Sequence, residues 1–340
     1  MNKIKCAVVG AGIFGEIHCD TYANYPDAQL VAICDLNEKK GKELAKKYNT
    51  SYIKDYKEIA KNKEIDAVSV VTPDFAHKNI TIEMLLSGKN VLVEKPMATK
   101  VEEAEEMVNT AKKMGLILMT DFHNRFNPPI VSIKEKIEKG DLGEIIMMST
   151  KLSDKISVPL KWFSWSGQSG PQWFLFPHIV DLVCWFTKDF PKSVYAKGIK
   201  KVLKNNGLDI YDVISATLDF GNSFSILETS WIIPDNWPSL VEFVVDLQTS
   251  KGKVHMDINN QGIMVCSELN NTLERPAYTV NSSVYNHTFG YASLPIKYFI
   301  DCLKEKKEPL IKLEDGLNNV KIICAIEKSI EEERIIKIEI

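Results

Sequence analysis

No apolar run in this 340-residue chain is long enough to span a bilayer, and the apolar N-terminus is too short and too broken by glycine for the core of a secretion signal. The 7 cysteines contain no C-x-x-C pair and no zinc-type Cys/His spacing. Their odd number points to reduced thiols in a cytoplasm rather than a disulfide frame. A net charge of −3 gives no electrostatic basis for holding nucleic acid or an anionic membrane. Low-complexity tracts, repeats, G-x-S-x-G and a nucleophilic Cys/His pair are all absent, which removes the commoner hydrolase signatures. What remains is an ordinary globular composition, 45% apolar and 26% charged, long enough for two domains with substantial cores.

The densest signal lies at the start. A β-type run, Ile4 to Val9, stops at Gly10, and a helical pattern begins near Ile13, so Gly10, Gly12 and Gly15 form G-x-G-x-x-G between a strand and a helix. Gly10 allows the tight turn, Gly12 lets main chain approach a pyrophosphate, and Gly15 lets the helix lie close to the strand. Ile13 and Phe14, in the first helical turn, join the glycines as cofactor-binding candidates. A second apolar strand, Leu30–Cys34, leads into Asp35, 20 residues after Gly15. A carboxylate there suits the ribose hydroxyls of NAD. It would repel the extra phosphate of NADP, and no arginine follows it, so NAD is favoured and NADP stays possible.

Short β-rich runs alternate with helical stretches through residue 121. This pattern predicts a doubly wound parallel sheet, a Rossmann domain over 1–121. A capping box, Thr99 with Glu102, is expected to open the helix Val101–Met114, and Gly115 to close it. The pattern changes at the junction His123–Pro129. Over 122–340 it predicts an α+β domain with an open, mostly antiparallel sheet, a helix near Trp173–Phe186 and two closing helices. An open sheet buries one face, often against another subunit, so a homodimer or homotetramer through this sheet is expected.

Ligands of such parallel sheets sit beyond the carboxyl ends of the strands, where Asp35, Thr72 and Glu94-Lys95 fall. Glu94-Lys95-Pro96 directly follows the apolar run Val91–Val93. Oxidising an alcohol needs a base for the hydroxyl proton. An ordinary lysine is too basic for that at neutral pH, and burial beside a positive nicotinamide can supply the roughly 4 kcal/mol needed to lower it. The alternative is a surface lysine paired with Glu94. His178 and Asp181, three residues apart on one helix face, can reach one site, with His178 as a proton relay; alternatively His178 only caps or packs. In the aromatic loop Lys161–Gly170, Trp162 either touches nicotinamide or substrate, or packs in the core. His18, His255 and His287 show no metal-ligand clustering, so no metal is expected.

Together, Gly10–Gly15, Asp35, Thr72-Pro73-Asp74-Phe75-Ala76-His77, Glu94-Lys95-Pro96 and Arg125-Phe126-Asn127-Pro128 resemble the glucose–fructose oxidoreductase, inositol dehydrogenase and rhizopine-catabolism (Gfo/Idh/MocA) group. The tail from Tyr298 to Ser329 is similar as well. The resemblance implies cofactor contacts at Thr72, Pro73, His77 and Glu94, a cis bond before Pro96, and Lys95 as the central catalytic group. It also implies that His178 acts with the lysine, that Asp181 touches substrate hydroxyls, and that substrates are sugars, inositols or related polyols; Arg125 and Trp162 are further substrate-binding candidates. One departure stands out. Many dehydrogenases of the group carry Asp four residues before this histidine and Gly two before it, where this chain has Phe174 and Phe176. The missing acid leaves Lys95 and His178 as a pair, or gives the pocket an apolar wall, unless the aromatic run is plain core.

The resulting expectation is a cytoplasmic NAD(P)-dependent dehydrogenase of secondary alcohols in sugars or polyols. The alternatives are an NAD-dependent glycosidase and a non-catalytic NAD-binding sensor; Lys95 and His178 count against the sensor.

Overall fold

The computed structural model describes residues 3–257 and 290–339, with the backbone of strands at 262–267, 273–274, 282–284 and 287–289. The chain forms two compact units, Met1–Phe126 with Thr279–Val320, and Asn127–Tyr278 with Lys321–Ile340.

The first unit runs β1 (Ile4–Val9), α1 (Ile13–Asn24), β2 (Ala28–Cys34), α2 (Glu38–Lys47), β3 (Ser51–Ile53), α3 (Tyr56–Lys61), β4 (Ala67–Val70), α4 (His77–Leu86), β5 (Asn90–Glu94), α5 (Val101–Met114) and β6 (Leu118–Asp121). The strands make one parallel sheet in the order β3-β2-β1-β4-β5-β6, the doubly wound topology read from the sequence. Helices cover both faces of such a sheet, so its central strands read as unbroken apolar runs, and every residue of β4 is buried. Gly115 closes α5 in the left-handed region at φ +64°. The capping box does not form. Lys100 is the N-cap, without a side-chain hydrogen bond, and Thr99 lies one residue too early to reach the first free N–H groups.

The second unit runs α6 (Pro128–Lys139), β7 (Ile145–Lys155), α7 (Pro171–Phe174), α8 (Phe176–Thr187), β8 (Ser193–Ile199), α9 (Val202–Asn205), β9 (Val213–Asp219), β10 (Phe224–Ile233), β11 (Val241–Thr249), β12 (Gly252–Asp257), β13 (Gly262–Ser267) and β14 (Leu273–Glu274). The chain then passes β15 (Ser282–Val284), β16 (His287–Phe289) and α10 (Leu294–Glu305) of the first unit. α11 (Leu313–Glu332) follows, and β17 (Ile336–Lys337) returns to the second. Ile296, Phe299 and Ile300 of α10 lie in the same apolar cluster as Cys6, Val8, Ile17 and Leu30, so this late segment completes the first core.

The second sheet has nine strands in the order β14-β13-β12-β11-β7-β10-β9-β8-β17. All its pairs are antiparallel except β7 with β10. A parallel pair needs a crossover, and the helical segment after β7 begins one. α8 packs Ile179, Leu182, Val183 and Phe186 inward and lies against β7 and β10. The helix expected over Trp173–Phe186 is divided at Leu175. Pro177, which has no N–H to continue a helix from α7, starts the new one. Among the described residues no helix is long and apolar enough to cross a membrane.

Candidate active site

In the first unit the glycine turn has the geometry a pyrophosphate needs. Gly10 sits at φ +113°, and a Cβ there would lie 2.2 Å from Val71 O; a Cβ on Gly15 would lie 1.9 Å from Gly10 O. Gly12, the N-cap of α1, has no described residue within 4 Å of an added Cβ. The free N–H groups of the first turn of α1 are therefore approachable by an anion. Ile13 stands 58% exposed beside them. Asp35 is tied into the same turn: Oδ2 accepts from Ala11 N at 2.6 Å and Oδ1 from Asn37 N at 2.6 Å. Each carboxylate oxygen keeps a second lone pair for a ribose hydroxyl. Leu36, 84% exposed after Asp35, belongs to no motif in the sequence; a bare apolar side chain there suits a flat base.

Thr72 and Pro73 follow β4, and Thr72 Oγ1 is buried with no hydrogen-bond partner among the described residues, a donor that a bound cofactor would satisfy. The turn, Asp35 and Thr72 together fit an adenine dinucleotide. His77, expected as a cofactor contact, also ties two loops together. Its Nδ1 faces Pro96 O at 2.7 Å and its Nε2 faces Thr72 O at 2.8 Å, so the ring clamps the loops after β4 and β5.

Lys95 is 7% exposed at the end of β5, the Lys95–Pro96 peptide is cis, and Glu94 Oε2 accepts from Lys95 N at 3.2 Å. This burial excludes the solvent-exposed surface lysine. Around it the fold assembles charges that the sequence keeps far apart. His18 Nε2 lies 3.4 Å from Glu94 Oε1 and 3.6 Å from Asp121 Oδ2, and His18 Nδ1 lies 2.9 Å from Ser69 Oγ. Tyr22 Oη lies 2.6 Å from the same Ser69 Oγ. Burial favours the neutral form of Glu94, but the His18 hydrogen bond and the charges of His18, Lys95 and His123 outweigh it and hold its carboxyl below the ordinary value. Burial and then the neighbouring Glu94 push Asp121 well above it, against the pull of Lys95. Burial lowers His123 to about 4, with Glu94 opposing and Lys95 and His18 assisting. Its ring stacks on Phe14 at 6.0 Å.

Arg125, expected to touch substrate, is 5% exposed and pairs with Asp315 at 3.0 Å, its guanidinium over the Phe122 ring. The ion pair ties the junction to the first turn of α11.

In the second unit His178 and Asp181 lie on the first turns of α8, 9% and 3% exposed. Trp162 ends a wide helical turn and is 50% exposed, which excludes core packing. Phe174, where the family acid was expected, joins Phe163, Trp165 and Trp231 in an aromatic cluster with ring centroids 5.0–6.1 Å apart. Trp173 Nε1 and Gln172 Nε2 donate to Glu327 Oε1 at 3.1 and 2.9 Å, fixing α7.

Residues 4–122 match the oxidoreductase family with an NAD-binding Rossmann fold, and residues 130–255 match the GFO/IDH/MocA C-terminal domain. A D-glucoside 3-dehydrogenase of Escherichia coli is 31% identical over 252 residues, 68% of this chain and 71% of that protein. A myo-inositol 2-dehydrogenase of Thermotoga maritima is 24% identical over 340 residues, 99% of each. The solved structure of a levoglucosan dehydrogenase with NADH and levoglucosan superimposes with a TM-score of 0.86 over the whole of both chains; at 19% identity this likeness speaks for the fold alone. The glycine turn and the matches to both domains lead to one assignment: the chain belongs to the Gfo/Idh/MocA family of NAD-binding oxidoreductases.

Proposed function

We propose that this protein is an NAD-dependent dehydrogenase that moves hydride between C4 of nicotinamide and a secondary carbinol of a sugar, inositol or related polyol. The observation that carries the reading is Lys95, a buried amine at the carboxyl end of β5, in the same unit as the glycine turn. NAD, when bound, supplies the hydride acceptor. Gly12 and the first turn of α1 receive its pyrophosphate, Asp35 its ribose, Leu36 its adenine and Thr72 Oγ1 a polar group along its length. The Asp35 carboxylate disfavours the NADP phosphate. Lys95 takes the carbinol proton as oxidation proceeds and returns it on reduction.

In the second unit His178 assists as a proton relay, Asp181 accepts from a substrate hydroxyl, and Trp162 offers its exposed ring to a sugar face. These roles rest on the resemblance and on the shared helix face. The partly exposed aromatic cluster with Phe174 stands where many dehydrogenases of the group carry an acid, so that position adds no acid to the relay. The named activities of the relatives place glucosides and inositols first among substrates to try. An open face on the second sheet supports a dimer or tetramer through that sheet.

The test is a panel of glucosides, inositols and sugars with NAD or NADP, following reduced-cofactor absorbance. Lys95→Ala should lose at least ~10²-fold in turnover and still bind NAD by calorimetry. Unchanged turnover removes Lys95 from the mechanism. Product formation without accumulating NADH would instead favour the redox-neutral glycosidase reading.

A further inference from the structure

Beneath Lys95 lies a closed polar cluster that the catalytic reading does not use. Glu94 and Asp121 are register partners on the adjacent parallel strands β5 and β6, so both carboxyls leave the sheet together. His18 of α1 stands against both, and their side chains are 8%, 2% and 1% exposed for Glu94, Asp121 and His18. Ser69 on β4 and Tyr22 on α1 complete the chain of contacts, and Tyr22 is fully buried, so the cluster ends inside the protein. Lys95 and His123 are the other titratable groups acting on it, with Cys6 and Cys19 nearer to Tyr22.

Asp121 Oδ1 is buried with no hydrogen-bond partner among the described residues. An ionised carboxylate with an unsatisfied oxygen, next to a second carboxylate, is costly in a buried site; a carboxylic acid is not, and its O–H at Oδ2 can be given to the side where His18 and Glu94 lie.

We propose that Asp121 is a neutral carboxylic acid at neutral pH, a positioning residue whose proton, turned toward Glu94, leaves Glu94 as the single fixed carboxylate beside Lys95. This deepens the dehydrogenase reading and rests on it for its kinetic consequence. One negative charge keeps the lysine anchored; two would hold it charged too firmly to act as a base. The raised position of the Asp121 carboxyl described above agrees with this arrangement.

The test has two arms. In the infrared spectrum of the protein without substrate at pH 7, a protonated-carboxyl stretch should be present and should be lost in Asp121→Asn. Aspartate labelled with 13C at its carboxyl, in the unsubstituted protein, should move that band to lower frequency, which needs no variant to fold. No such band, or a band indifferent to aspartate label because Glu94 carries the proton, overturns the proposal. In the kinetic arm, Glu94→Gln should move the Lys95 limb of the kcat/KM–pH profile down by about one pH unit or more, because the ammonium loses its counter-charge. Asp121→Asn should move it by less than half as much. An equal displacement by both variants overturns the proposal. Should Lys95→Ala retain turnover, the dehydrogenase reading fails, and the infrared arm still decides the state of Asp121.

Discussion

At the scale of single residues, the first unit holds two buried groups that titrate in opposite senses. His123, lowered from 6.5 to about 4, resists charging in the folded protein, whereas the unfolded chain takes up a proton below about 6.5. The unfolded state therefore binds more protons between those values. Stability is lost as pH falls through that window, by about 3 kcal/mol in all. Asp121 works the other way: its carboxyl is raised, so the folded state binds the extra proton and stability falls as pH rises above the ordinary carboxylate range. Denaturant melts of His123→Gln against the parent protein from pH 7 to pH 4 should show a shallower acid slope in the variant; equal slopes would mean the imidazole is not held neutral. Lys95 was legible in the sequence because an apolar strand ends at it. His18 and Asp121 were not, because only the strand order and register bring residues 18, 94 and 121 to one point. The Arg125 pair with Asp315 was equally hidden, the two lying 190 positions apart.

At the scale of the element, the strand–turn–helix of β1 and α1 separates three glycines that look alike in a motif. Gly15→Ala places a Cβ 1.9 Å from Gly10 O, so the turn must move, at about 2–3 kcal/mol. Gly12→Ala meets nothing within 4 Å among the described residues, at an ordinary φ of −79°, and should leave stability within ~0.5 kcal/mol of the parent. Its methyl enters the space assigned to the pyrophosphate, so NAD affinity should fall about tenfold or more. Paired thermal melts and NAD calorimetry on the two variants check this, and a Gly12→Ala protein that binds NAD normally would remove the turn from the cofactor site. The strand and helix pattern of this unit was readable because fully buried parallel strands are continuous apolar runs. The cap of α5 and the break before α8 were less so, since one residue of offset at Lys100, or a proline at the start of α8, decides them locally.

At the scale of the whole molecule, the strands β7, β9 and β10 meet α7 and α8 on one face of the second sheet and carry mixed side chains on the other. On β9, Ile214, Ala216 and Leu218 are buried, while Val213, Thr217 and Asp219 are exposed. On the same outer face Tyr195, Ile199 and Phe224 are exposed apolar groups, and Ile226 lies half-buried between Thr217 and Ser149. We expect a dimer or tetramer by light scattering, and Ile226→Asp should shift it to a smaller species with unchanged circular dichroism; a monomeric parent protein would refute the arrangement. The alternation of apolar and polar residues fixed which elements exist, and the glycine spacing with Asp35 announced a dinucleotide site, because both follow from local geometry repeated along the chain. That β7 and β10 run parallel, that α10 completes the first core, and that His18 meets Glu94 and Asp121 were decided only by tertiary structure. Each depends on which distant surfaces close over one another, and burial and register do not show in the spacing of neighbouring residues.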